Sequence, residues 1–85
     1  MEKSIHTREY RILLAILRQA REKAGLTQAH LAQKIGQTQS FVTKYERGER
    51  RLDIVQLRTI CDALGTSLAA FVRSYERSLR RKHED

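Results

Sequence analysis

Four glycines, Gly25, Gly36, Gly48 and Gly65, each close a segment of helical apolar spacing, and a cap-type residue opens the next. The openers are Thr7, Thr27, Thr38, Asp53 and Ser67. Short side chains with an acceptor oxygen satisfy the free N–H groups at a helix start. A residue able to turn left-handed commonly ends one, which glycine does without strain. The chain has no proline, no internal repeat and no alternating pattern of the kind a half-buried strand requires. This punctuation predicts an all-α chain of five helices.

Spacing within the segments places their buried faces. The first, from about Arg8 to Ala24, sets Tyr10, Leu13, Leu14 and Leu17 at i, i+3, i+4 and i+7. The second, Gln28 to Ile35, offers Leu31, Ala32 and Ile35, and the third, Gln39 to Arg47, offers Val42 and Tyr45 with Phe41 on its flank. A helix as brief as the third cannot stand alone in water. It must lean on its neighbours, which leaves its polar face for another purpose. Asp53 and Gln56 then form a capping-box pattern with Leu52 and Leu57 at the staple positions. The fourth helix that follows carries Leu57, Ile60, Cys61 and Leu64, and the fifth carries Leu68, Phe71, Val72, Tyr75 and Leu79 on one side. The polar ends, 1–6 and 80–85, are expected to fray.

Length allows one domain, 1–85, because a chain of 85 residues buries only about 60–65% of its extended surface. The charge is +7, with 17 Lys and Arg against 10 Asp and Glu, and the isoelectric point is near 10.2. That imbalance favours a polyanionic partner, nucleic acid before anionic membrane, although a basic domain that is merely soluble has the same composition. Cys61 is the only cysteine, so no intramolecular disulfide is possible. With no signal-peptide pattern, a reducing cytoplasm is expected. No apolar run approaches the roughly 18 residues that span a bilayer.

The stretch LTQAHLAQKIGQTQSFVTKYERG, Leu26 to Gly48, describes two short helices joined by a tight turn, with a core over 27–48. Ala32 is small where the helices approach, Gly36 permits the turn, and Leu31, Ile35 and Val42 fix the crossing. Gln39, Ser40, Thr43, Lys44 and Arg47 remain outward on the second helix. Gln can bond adenine in bidentate fashion through the oxygen and the NH2 of its amide, Lys can bond guanine, and Ser or Thr can bond either or touch a thymine methyl. The spacing thus predicts a face suited to base edges in the DNA major groove.

Three separate stretches, LRQAREKAGLTQAHLA, GQTQSFVTKYERG and LDIVQLRTICDALGTSL, resemble the Cro/repressor-type (XRE) helix-turn-helix family, to which the phage lambda and 434 repressors belong. The resemblance spans roughly Leu13 to Phe71. It implies a compact five-helix bundle of the lambda-repressor-like type, here with an extended C-terminal helix. By the same resemblance Gln39 is the leading base-reading residue, Ser40 and Lys44 are the other two, and Thr43 stands beside them. Gln28 would hold a phosphate and brace Gln39, while Gln37, Thr38, Arg47, Arg50 and Arg51 would also contact phosphates. Arg21 and Glu46 match a buried ion pair between the first and third helices. Three departures stand out: His30 replaces an acidic residue that commonly completes a capping box, Leu52 replaces a frequent proline, and the last helix runs long.

Plainer readings fit the remaining residues. His6, His30 and His83 are far apart and have no metal-ligand spacing, so they are read as surface residues and no metal or cofactor is expected. Cys61 lies on a core stripe and is read as an inert thiol. Phe41 could touch the DNA backbone, but packing beside the loop after the third helix suits it better. No catalytic constellation is discernible, so no enzymatic activity is expected. Arg73, Arg77, Arg80, Arg81 and Lys82 read as a solvated basic face. The opposite face, with Val72, Tyr75 and Leu79, is longer than a small bundle must cover, and is expected to meet its own copy across a two-fold axis. The expected function is a transcriptional regulator, most simply a repressor, bound as a homodimer to a palindromic operator. Alternatives are an antitoxin with a toxin partner, a restriction-modification controller, or an interaction module that has lost DNA binding.

Overall fold

The computed structural model describes residues 7–84 in the backbone and 7–81 in the side chains. Five helices follow one another: α1 (Arg8–Lys23), α2 (Gln28–Ile35), α3 (Gln39–Glu46), α4 (Ile54–Ala63) and α5 (Leu68–Glu84). Among the described residues there is no strand. The helices start where local hydrogen bonding dictates. Side-chain oxygens of Thr7, Thr27, Thr38 and Asp53 accept from the backbone N–H three residues on, and Ser67 does the same for Ala70. At α4 the box closes in both directions, with Gln56 Oε1 accepting from Asp53 N at 3.0 Å. At α2, Thr27 accepts from His30 N at 3.0 Å.

Two helices stop one residue earlier than spacing predicts, because Ala24 and Arg47 serve as C-caps. Gly36 closes α2 at φ 70°, and the Gln37 N–H then reaches back to the Ala32 carbonyl at 2.9 Å. This tight closure directs the chain straight into α3.

The core gathers from all five elements. Leu17 of α1, Leu31 of α2, Val42 and Tyr45 of α3, Ile60 and Cys61 of α4, and Phe71 of α5 are buried together. α3 rests on α1 and α2, α4 on α2 and α5, and α5 returns to α1. Phe41, which spacing sets on a flank, is buried. Its ring meets Tyr45 edge-on at 5.7 Å, and the Arg50 guanidinium lies 4.9 Å above it. The loop after α3 folds back to cover it, a tertiary effect that helical periodicity does not encode.

The far half of α5 is tied to the start of α1. Tyr75 Oη donates to the Glu9 carbonyl at 3.0 Å, and Arg8 donates to the Leu79 carbonyl at 3.3 Å. Tyr75 and Leu79 are half-buried, whereas Val72 is 41% exposed. Of the stretches expected to fray, 1–6 and Asp85 lie outside the described residues, while 80–84 are helical.

Candidate nucleic-acid interface

The two-turn helix α3 presents two unlike faces. Phe41, Val42 and Tyr45 point into the core, while Gln39, Ser40, Lys44 and the capping Arg47 are exposed and Thr43 is half-buried. Gln37 and Thr38, in the turn that precedes α3, are exposed as well. Thr38 Oγ1 accepts from Phe41 N at 3.2 Å. A short helix gains little rigidity from its own hydrogen bonds; this one is fixed by the apolar face and by a polar network at its far end.

That network begins with Arg21 and Glu46. Arg21 Nε donates to Glu46 Oε2 at 2.7 Å and Nη2 donates to Oε1 at 3.1 Å, a bidentate pair that joins α1 to the end of α3. The two side chains are only 9% and 3% exposed. Arg21 Nη1 also donates to the Leu26 carbonyl at 2.8 Å, which secures the loop before α2. The guanidinium pKa is raised, first by its hydrogen bond to Glu46.

Gln28 extends the network onto the outer surface. Its Nε2 donates to Glu46 Oε1 at 2.9 Å, and its Oε1 accepts from Thr43 Oγ1 at 2.7 Å. Four side chains from three helices therefore form one chain of hydrogen bonds. Sequence reading gives Gln28 a phosphate and the bracing of Gln39, and gives Thr43 a base, without joining the two; here the Gln28 amide bonds to Glu46 and Thr43. Their link depends on how α2 crosses α3, and no residue spacing signals it.

The basic residues beyond α3 sit in different surroundings. Arg47 lies 3.9 Å from Glu49 with both side chains largely exposed. Arg50 is placed by its stack on Phe41, and Arg51 is exposed in the same loop. Ile54 and Val55, which open α4, are 68% and 71% exposed. Helical spacing in the sequence does not single them out.

The buried polar groups deeper inside lie off this surface. Burial pushes the Cys61 thiol up to about 11, so it is protonated and unreactive at neutral pH. Tyr45 is also raised, chiefly by burial, and its hydroxyl has no hydrogen-bond partner among the described residues. Among the described residues no three His, Cys, Asp or Glu side chains gather as metal ligands, and no helix is long and apolar enough to cross a membrane. His6 and the His83 side chain lie outside the described residues; His30 is exposed.

Comparison with known proteins places this geometry. A helix-turn-helix family model matches residues 17–71. An XRE-family like protein from Pseudomonas syringae pv. tomato str. DC3000 is 42% identical, with a TM-score of 0.81 over 89% of this chain and 93% of that one. A mutant of the restriction-modification controller protein C.Esp1396I is 25% identical, with a TM-score of 0.79 over 86% and 92% of the two chains. The clp gene regulator ClgR from Corynebacterium glutamicum is 28% identical, with a TM-score of 0.76 over 93% and 86%. No curated protein matches the sequence.

Proposed function

The chain belongs to the XRE-type helix-turn-helix family, and from that premise we propose that it is a sequence-specific double-stranded-DNA-binding transcriptional regulator that represses by occupying its operator. The observation that carries this reading is the outer face of α3, where Gln39, Ser40 and Lys44 are exposed on a helix locked from behind by the Arg21–Glu46 pair. With the helix itself held, only side-chain rotamers are left to order on binding, and these three residues are of types that bond base edges. Gln28, Gln37, Thr38, Arg47, Arg50 and Arg51 flank this face and contact phosphates, which position the helix but carry no sequence information.

Two copies bind a palindromic site, paired through α5 at Val72, Tyr75 and Leu79, with the recognition helices about 34 Å apart, one turn of DNA. Selection of duplexes from a random pool, followed by gel shift, tests the reading. A two-fold symmetric site with half-sites about one helical turn apart is the expected result. No enrichment at low salt would overturn it and leave an interaction module. Likeness to a restriction-modification controller favours one second reading, in which the regulated operon carries a restriction enzyme; the position of the selected site relative to such a gene decides between them.

A further inference from the structure

We infer that Thr43 meets DNA as a hydrogen-bond acceptor and a methyl group, not as a donor, because the buried Arg21–Glu46 pair fixes where its hydroxyl proton points. This rests on the DNA-binding reading and specifies which base groups that site reads. The reasoning runs outward from the core. An ionised Glu46 carboxylate can only accept, and both its oxygens already face Arg21, at 2.7 and 3.1 Å. Gln28 has one accepting and one donating end, and it approaches Glu46 Oε1 at 2.9 Å. The end facing the carboxylate must be Nε2, since the flipped amide would set two acceptors against each other.

The Gln28 carbonyl oxygen is then the end that lies 2.7 Å from Thr43 Oγ1. A carbonyl cannot donate, so Thr43 must. A threonine hydroxyl has a single proton, and here it is turned inward. What remains toward the groove is a lone pair and the γ-methyl. Guanine N7 and O6, adenine N7 and thymine O4 are all acceptors and gain nothing from that surface. The amino groups of adenine and cytosine can donate to it, and the thymine methyl can pack on it. Thr43 therefore favours adenine, cytosine or thymine as the base it faces and discriminates against guanine there. Ser40, exposed on the same helix, is under no such constraint.

Base analogues test this directly. Comparing half-sites selected by the natural protein and by Thr43→Ala locates the base pair whose preference relaxes. Into that pair are placed, one at a time, an analogue lacking the amino group, uracil for thymine, and a 7-deaza purine, and each duplex is titrated by fluorescence anisotropy. Removing the amino or methyl group of the base whose preference Thr43 sets is expected to weaken binding roughly fivefold, the worth of one modest contact. The 7-deaza purine is expected to leave binding unchanged.

In Gln28→Met the inward acceptor is gone and the hydroxyl proton is released. Binding weakens generally, but the ratio of 7-deaza to natural duplex is now expected to shift roughly fivefold, a readout that lost affinity or stability alone would not move. A 7-deaza penalty in the natural protein would overturn the inference, as would a Thr43→Ala selection with no relaxed position. Failure to bind any duplex would instead reject the DNA-binding reading itself.

Discussion

Removing Arg21 strips Glu46, whose side chain is only 3% exposed in the intact pair, of two hydrogen bonds. Breaking a buried pair from one side costs about 3–5 kcal/mol, so Arg21→Ala should lower unfolding free energy in urea by that amount; a loss below about 1 kcal/mol is what an exposed pair gives. Tyr45 predicts the opposite sign. Its buried hydroxyl has no partner, so Tyr45→Phe removes a desolvated group and should leave stability unchanged or raise it by up to about 1 kcal/mol. Cys61 adds a pH dependence. Folding raises its pKa from 9.0 to about 11, so its contribution is intact below pH 9 and is lost as pH rises toward 11. Urea midpoints of the natural protein and Cys61→Ala should therefore converge between pH 9 and 10.5. At this scale the outward set Gln39, Ser40 and Lys44 is legible in the sequence, because helical spacing alone divides it from Val42 and Tyr45. The partner of each polar group is not: the Thr43–Gln28 bond joins residues from two helices, and its direction is decided by a third residue at the edge of the core.

Helix starts depend on bonds spanning three residues, and helix ends on a single backbone conformation, so both yield to point changes. Thr38→Ala deletes the cap that holds Phe41 N and should cost about 1 kcal/mol, with Thr38→Ser restoring most of it. Gly36 makes a separate demand. A Cβ there meets nothing within 4 Å, yet φ is 70°, so Gly36→Ala should cost about 1–2 kcal/mol through the backbone alone. Asparagine tolerates the left-handed region better, so Gly36→Asn should lose less in the same urea titration. Locality also explains what the sequence conveys about the fold. All five helix starts fall at residues identifiable by type, and α2 has the bounds that spacing predicts. Packing of Phe41 beside the loop after α3 is expected from the sequence, though not its Arg50 partner; attachment of Tyr75 to Glu9 is not legible, since it requires a distant segment to return.

For the molecule as a whole, the proposed dimer and the proposed phosphate contacts predict one linked set of measurements. Arg47, Arg50 and Arg51 supply three cationic phosphate contacts per copy. Each neutralised phosphate contributes a slope of about −0.9 to the dependence of log K on log salt. Three contacts give about −3 for a monomer on a half-site and about −5 for a dimer on the full operator. Arg47→Ala, whose side chain is largely exposed, should reduce the dimer slope by about 2, one phosphate per copy, without altering base preference. Val72 tests the pairing itself, being the most exposed of the three α5 residues proposed for it. Val72→Glu would bury a carboxylate from each copy in the proposed interface, and should yield monomers by light scattering while preserving half-site affinity. The full-operator slope should then fall from the dimer value toward the monomer value. A natural protein that stays monomeric at tens of micromolar, free and on DNA, would reject the dimer. In that case the same salt titration should still return the monomer slope, because the phosphate contacts belong to each copy alone.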